Sequence, residues 1–153
     1  MSVELKNIKY MAALSEETHC FTASLYIDGK KRGGVSNRGH GGCNEYTDPT
    51  AEDEINAYAK TLPKKWAFEQ WFDQDAETLI CNLINDYLDR KQLQKELKAV
   101  VLTIKDGSLW QYKLKSGKRE ELIEHLKRRG EQVLNALPFD AAFSLYVKTT
   151  KEV

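Results

Sequence analysis

The stretch Phe21-Thr22-Ala23-Ser24-Leu25-Tyr26-Ile27-Asp28-Gly29-Lys30-Lys31 decides how the rest of the chain is read. Apolar residues at 21, 23, 25 and 27 alternate with other types, the period-two signature of a strand with one buried face. Asp-Gly follows at once. That dipeptide accepts the two positive φ angles of a two-residue hairpin turn, so residues 30–37 are predicted to return antiparallel. Upstream, Ile8, Tyr10, Ala12 and Leu14 alternate in the same way and predict another strand. The device recurs downstream, where Val100, Val101, Leu102 and Ile104 lead into Asp106-Gly107 and a return over Leu109 to Lys115.

Between and after the hairpins the period changes. A helix is predicted to start at Asp48-Pro49-Thr50, with proline in the first turn and Glu52, Asp53 and Glu54 favoured by the helix dipole, and to end before Pro63. Leu79, Ile80, Leu83, Ile84, Tyr87 and Leu88 keep a three-four spacing that predicts a long core helix over residues 76–97, capped by Asp75. A third helix has Glu120 and Glu121 in its first turn, Lys127, Arg128 and Arg129 in its last, and Gly130 beyond. Residues 131–137 read as a short helical piece stopped by Pro138, and Phe143, Leu145 and Val147 as a final strand. The expected fold is α+β: an antiparallel sheet built from two hairpins and a C-terminal strand, helices packed on one face, in one globular domain over residues 1–153.

Bulk properties narrow the function classes. The 153 residues are enough for a core without disulfide or metal staples. Lys+Arg and Asp+Glu both number 23, and a balanced charge disfavours duplex nucleic acid as the main partner, because phosphate neutralisation supplies most of that affinity. Glu4, Lys6 and Lys9 break up the first residues, so no signal peptide is expected, and no run approaches the ~18 apolar residues of a membrane span. Cys20, Cys43 and Cys81 are odd in number and widely spaced, which fits free thiols in a reducing cytoplasm better than a disulfide framework.

Three places invite chemistry. The glycine-rich loop 37–44 (Asn37-Arg38-Gly39-His40-Gly41-Gly42-Cys43-Asn44) offers backbone N–H groups, with Arg38, His40 and Asn44 as further donors, to an anion or small ligand. Residues 30–44 carry Lys30, Lys31, Arg32 and Arg38 and no acid, whereas residues 45–56 carry five acids and no base. The stretch matches neither the dinucleotide fingerprint nor the P-loop, and a surface loop using glycine for its turns is the simpler account. If residues whose numbers sum to about 57 face each other, His19 lies near Arg38 and Cys20 near Asn37, bringing two histidines and two cysteines to one end. The absence of a close ligand pair such as Cys-x-x-Cys speaks against a metal.

The second place is Lys64 to Phe72, where Trp66, Phe68, Trp71 and Phe72 put four aromatics in seven residues. Such rings either plug a core or form an interface, tryptophan being enriched at binding hot spots. The third is a basic cluster, Lys113, Lys115, Lys118, Arg119, Lys127, Arg128 and Arg129, read as a solvated helix face offset by Glu120, Glu121 and Glu124. No nucleophile elbow, zinc-protease, kinase or Walker signature is present, so no catalytic residue, metal ligand or cofactor is nominated.

Leu5-Lys6-Asn7-Ile8-Lys9, Ser15-Glu16-Glu17-Thr18-His19-Cys20-Phe21, Tyr26-Ile27-Asp28-Gly29-Lys30-Lys31 and Val35-Ser36-Asn37 with Gly39-His40-Gly41-Gly42 together resemble small uncharacterised proteins encoded by bacteriophages and prophages. The resemblance lies mainly in residues 5–45, and Leu134-Asn135-Ala136-Leu137-Pro138 has a similar character. It carries no catalytic residues. It implies a bacterial host cytoplasm and an accessory protein that binds a host or bacterial protein, in the manner of an inhibitor of an anti-phage defence complex, CRISPR-type or other. The expected binding residues are Asn37, Arg38, His40, Asn44, Trp66, Phe68 and Trp71. The alternatives are a small-ligand or nucleotide-binding domain using loop 37–44, or a nucleic-acid-binding module. Oligomeric state is not readable from the sequence.

Overall fold

Asp28-Gly29 turns the chain as its residue types demand, with φ of 49° and 76°. In the computed structural model, which describes residues 1–114 and 117–151, this turn joins β2 (Cys20–Ile27) to β3 (Lys30–Arg38). Strand β1 (Val3–Tyr10) pairs with the other edge of β2, and the short β4 (Glu45–Tyr46) with β3, making a four-stranded antiparallel sheet in chain order. The chain divides into two compact units, Met1–Asp86 and Tyr87–Val153. Both mix helices with antiparallel strands, so the fold class is α+β.

Two irregularities in the first sheet set which side chains face inward. The β1–β2 register shifts between Lys6 and Lys9, around Asn7 at φ 53°. One extra residue reverses the alternation, so Val3 and Leu5 share a half-buried face with Ile8 and Tyr10. The strand is therefore Val3–Tyr10, and Ala12–Leu14, predicted to continue it, forms a turn of 3₁₀ helix. A second shift lies between Ser24 and Tyr26, where Leu25 opposes both Arg32 and Gly33. Beyond it Cys20 faces Arg38 and Phe21 faces Asn37, one place from the pairing expected above. Without this bulge Val35 would share the exposed face of Thr22; with it, Val35 and Asn37 both turn inward.

Helix α1 (Pro49–Ala59) begins where predicted, Asp48 accepting from the Thr50 N–H at 3.0 Å. Ala51, Ile55 and Ala59 form its buried stripe. The charge contrast flanking it closes within the molecule. Arg32 pairs with Asp48 at 3.1 Å and Glu54 at 2.5 Å, and Arg38 with Glu45 at 3.2 Å. Helix α2 (Ala76–Ala99) follows, capped by Asp75, which accepts from the Thr78 N–H at 2.7 Å. Its Ile80, Ile84 and Leu93 are fully buried, each contributing ~2 kcal/mol by removal from water.

In the second unit β7 (Val100–Lys105) lies between β8 (Ser108–Lys113) and the two-residue β9 (Gln132–Val133). Asp106-Gly107 again supplies the positive φ values, 51° and 73°. The step from α2 into β7 leaves carbonyls without helical partners. The Arg119 guanidinium, at the start of α3 (Arg119–Arg128), donates to Leu97 O and Lys98 O, and Asn135 Nδ2 to Leu97 O and Val100 O. Residues 131–137 hold only a 3₁₀ turn, Leu134–Ala136, after β9.

The predicted C-terminal strand is a helix, α4 (Phe139–Lys151). Phe143, Leu145 and Val147 fit a period of two, but Phe139, Ala142, Phe143 and Tyr146 fit the helical period as well. Pro138, read as a stop, begins the helix: its carbonyl accepts from Ala142 N–H at 3.0 Å. Among the described residues no helix is long and apolar enough to cross a membrane.

Candidate functional site

The glycine-rich loop is built around Asn37, which the β3 bulge turns inward and which is only 7% exposed. Its Oδ1 accepts from Thr18 Oγ1 at 2.8 Å and from the Gly39 N–H at 2.9 Å. Its Nδ2 donates to Gly42 O at 2.9 Å and Asn44 Oδ1 at 3.2 Å. A buried amide saturated in this way organises a loop rather than a ligand. Gly39, at φ 88°, is where the loop passes closest to its neighbours: a β-carbon there would stand 2.0 Å from Leu14 O, and the Gly39 carbonyl receives the N–H groups of Glu16, Glu17 and Thr18. The Gly41 N–H goes to Thr18 Oγ1 at 3.3 Å and the Asn44 N–H to Glu77 Oε1 at 2.9 Å. Three of the N–H groups that suggested an anion nest, those of Gly39, Gly41 and Asn44, are thus engaged within the fold.

Beside the loop lies a cleft of about 620 Å³, lined from Tyr10, from Ser15 to His19, from Asn37 and Asn44, and from Glu77, Thr78 and Cys81 on the first turns of α2. Of the four loop residues singled out from sequence, Asn37 and Asn44 reach this wall; Arg38 and His40 do not. Arg38 is paired with Glu45, and His40 Nδ1 is 3.0 Å from Glu16 Oε2. His19 Nε2 sits 2.8 Å from Asn85 Oδ1, its ring edge-on to Tyr10. Cys20 is buried, while Cys43 and Cys81 are exposed free thiols. Among the described residues no group of three or more His, Cys, Asp or Glu is placed to hold a metal ion. Burial raises the Glu77 carboxyl above its ordinary range, and Asp75 and Glu52 act in the same direction. Thr18, Glu77, Cys81 and Asn85 carry no local signal that links them to the loop, because they meet it only through the tertiary fold.

The aromatic segment forms a hairpin of its own, β5 (Lys65–Ala67) with β6 (Gln70–Phe72). Trp66 opposes Trp71, and the two indoles meet edge to face with centroids 5.3 Å apart. Such a cross-strand pair stabilises a hairpin by ~1 kcal/mol beyond its buried area. The rings remain open to solvent nonetheless: Trp66 is 59% exposed, Phe68 91%, Trp71 63% and Phe72 39%. Phe68 and Glu69 form the turn at φ 47° and 62°, in the left-handed region that bulky side chains avoid. Lys64 is paired with Asp73 at 3.1 Å, and Lys65 Nζ donates to Asn82 Oδ1 at 3.2 Å.

The basic cluster of the second unit is largely engaged. Arg119 serves the end of α2, Lys118 lies 3.8 Å from Glu121, Lys127 2.9 Å from Glu124, and Arg129 3.5 Å from Glu131. Of the other three members, Lys113 ends β8, Arg128 ends α3, and Lys115 lies outside the described residues. No family model, curated protein or solved structure matches the chain.

Proposed function

We propose that the chain is a non-catalytic accessory protein that acts by protein–protein binding, with the hairpin of Trp66, Phe68, Trp71 and Phe72 as its contact surface. The observation that carries this reading is the 91% exposure of Phe68 on a turn whose backbone disfavours such a residue. Strained backbone persists where the surroundings or a function hold it, and an outlier of this kind motivates a binding role. Tryptophans flanking such a tip are the residue type that dominates interface energetics. The two lysines beside the rings are already engaged by Asp73 and Asn82, which favours a protein groove over a single-stranded nucleic acid.

The phage-like character of residues 5–45 supports a setting in which the partner is a bacterial host protein, with the chain an inhibitor of an anti-phage defence complex, CRISPR-type or other. The test is affinity capture from host bacterial lysate with the wild type and with a Trp66→Ala/Trp71→Ala variant whose circular dichroism is unchanged. A partner retained by the wild type and lost by the folded variant supports the proposal. Equal capture by both, or none by the wild type, overturns it.

A further inference from the structure

The cleft of the first unit has an electrostatic character opposite to that of a phosphate site. Its wall contains three carboxylates, Glu16, Glu17 and Glu77, and no lysine or arginine. Glu16 is satisfied by His40. Glu77 is half-buried, accepts one hydrogen bond from the Asn44 N–H, and has no cationic partner among the described residues. A carboxylate withdrawn from water at the wall of a cavity and left without a counter-charge is a favourable place for a cation. Next to it the wall turns apolar and aromatic through Tyr10, Phe21 and Ile84. The volume of about 620 Å³ lies within the range of small-molecule sites, which combine an apolar lining with a few placed polar groups.

We infer that this cleft binds a small organic cation, an ammonium or guanidinium group on a compact apolar body, with the charge at Glu77 and the body along Tyr10. Glu17, at the rim and without a cationic partner among the described residues, adds longer-range attraction. A phosphate would meet three carboxylates here and no lysine or arginine, and the loop N–H groups of Gly39, Gly41 and Asn44 already serve Asn37, Thr18 and Glu77. The same chemistry is offered by a free amine and by an arginine side chain of a peptide, and the experiment separates these sources.

The test is an NMR titration of the full chain with tyramine, with agmatine, with a terminally blocked arginine peptide, and with inorganic phosphate. Saturable shifts at Tyr10, Glu77 and Thr78 with tyramine or agmatine are expected, and none there with phosphate. A peptide bound more tightly than either amine would assign the site to a polypeptide side chain and still support the cationic ligand. Glu77→Gln keeps an acceptor for the Asn44 N–H and should weaken binding about tenfold or more; Glu17→Gln, at the exposed rim, should weaken it less. Trp66→Ala/Trp71→Ala should bind the amine like the wild type, so this inference and the hairpin proposal fail separately. No saturable shift with any cationic probe, phosphate shifts at the same residues, or undiminished binding by both glutamine variants would overturn it.

Discussion

Three two-residue turns of this molecule share one backbone geometry and differ in what occupies it. Asp28-Gly29 and Asp106-Gly107 use the residues that accept positive φ most readily, and their hairpins join larger sheets. The third uses Phe68-Glu69, belongs to a two-stranded hairpin standing alone, and holds its phenylalanine out to solvent. The first two are what stability alone would select. At the third, stability has been given up, by ~1 kcal/mol per left-handed non-glycine residue, and part is recovered by the Trp66–Trp71 pair. The contrast separates turns whose residues suit their backbone from one whose residues do not, and the proposed contact surface lies at the latter.

The contrast can be broken by experiment. The largest expected effect is in function: Trp66→Ala/Trp71→Ala should abolish partner capture while costing only ~1 kcal/mol of stability, read by chemical denaturation. The largest in stability is at the saturated amide. Asn37→Ala strands the buried Gly39 N–H and should cost ~3 kcal/mol, with capture by the hairpin unchanged while the protein remains folded. Next comes the exchange of turns. Phe68→Asp with Glu69→Gly should stabilise the protein by ~1 kcal/mol and weaken capture, whereas Asp28→Phe with Gly29→Glu should destabilise it by ~2 kcal/mol. A Phe68/Glu69 exchange that stabilises and leaves capture intact would remove the functional reading of the turn.

The smallest effect concerns the clasp of Arg32 on α1. The Thr50 hydroxyl, and after it Arg32, hold the Asp48 carboxyl below its ordinary range. A carboxylate whose folded pKa is depressed contributes stability above its unfolded value and loses it as pH falls through the folded one. Unfolding followed between pH ~5 and ~3 should therefore show a wild-type loss that Asp48→Asn reduces.

Much of the fold was legible because its signals are local. The Asp-Gly turns, the caps Asp48 and Asp75 and the three-four spacing of α2 are each settled within a few residues of chain. The misreadings fall where one pattern has two periods or where a bulge intervenes. Phe143, Leu145 and Val147 satisfy both a strand and a helix, and burial of Ala142 and Phe143 against neighbouring apolar groups decides for the helix. Asn7 and the Arg32-Gly33 bulge reverse strand parity without announcing it in composition. At the candidate sites, the aromatic cluster was visible but its exposure was not. The cleft was hidden, because His19, Asn44 and Glu77 are brought together across some sixty residues.

The sequence by itself determined the two Asp-Gly reversals, the caps of α1 and α2, the helical period of α2 and the density of rings between Lys64 and Phe72. Only the tertiary structure decided that Asn37 turns inward, that the Gly39, Gly41 and Asn44 N–H groups serve their own neighbours, that Glu77 faces a cleft without a counter-charge among the described residues and that four rings stay in water. The physical reason is range. Periodicity, capping and turn chemistry act between adjacent residues, whereas burial, strand parity and the pairing of charges depend on which distant segments arrive alongside.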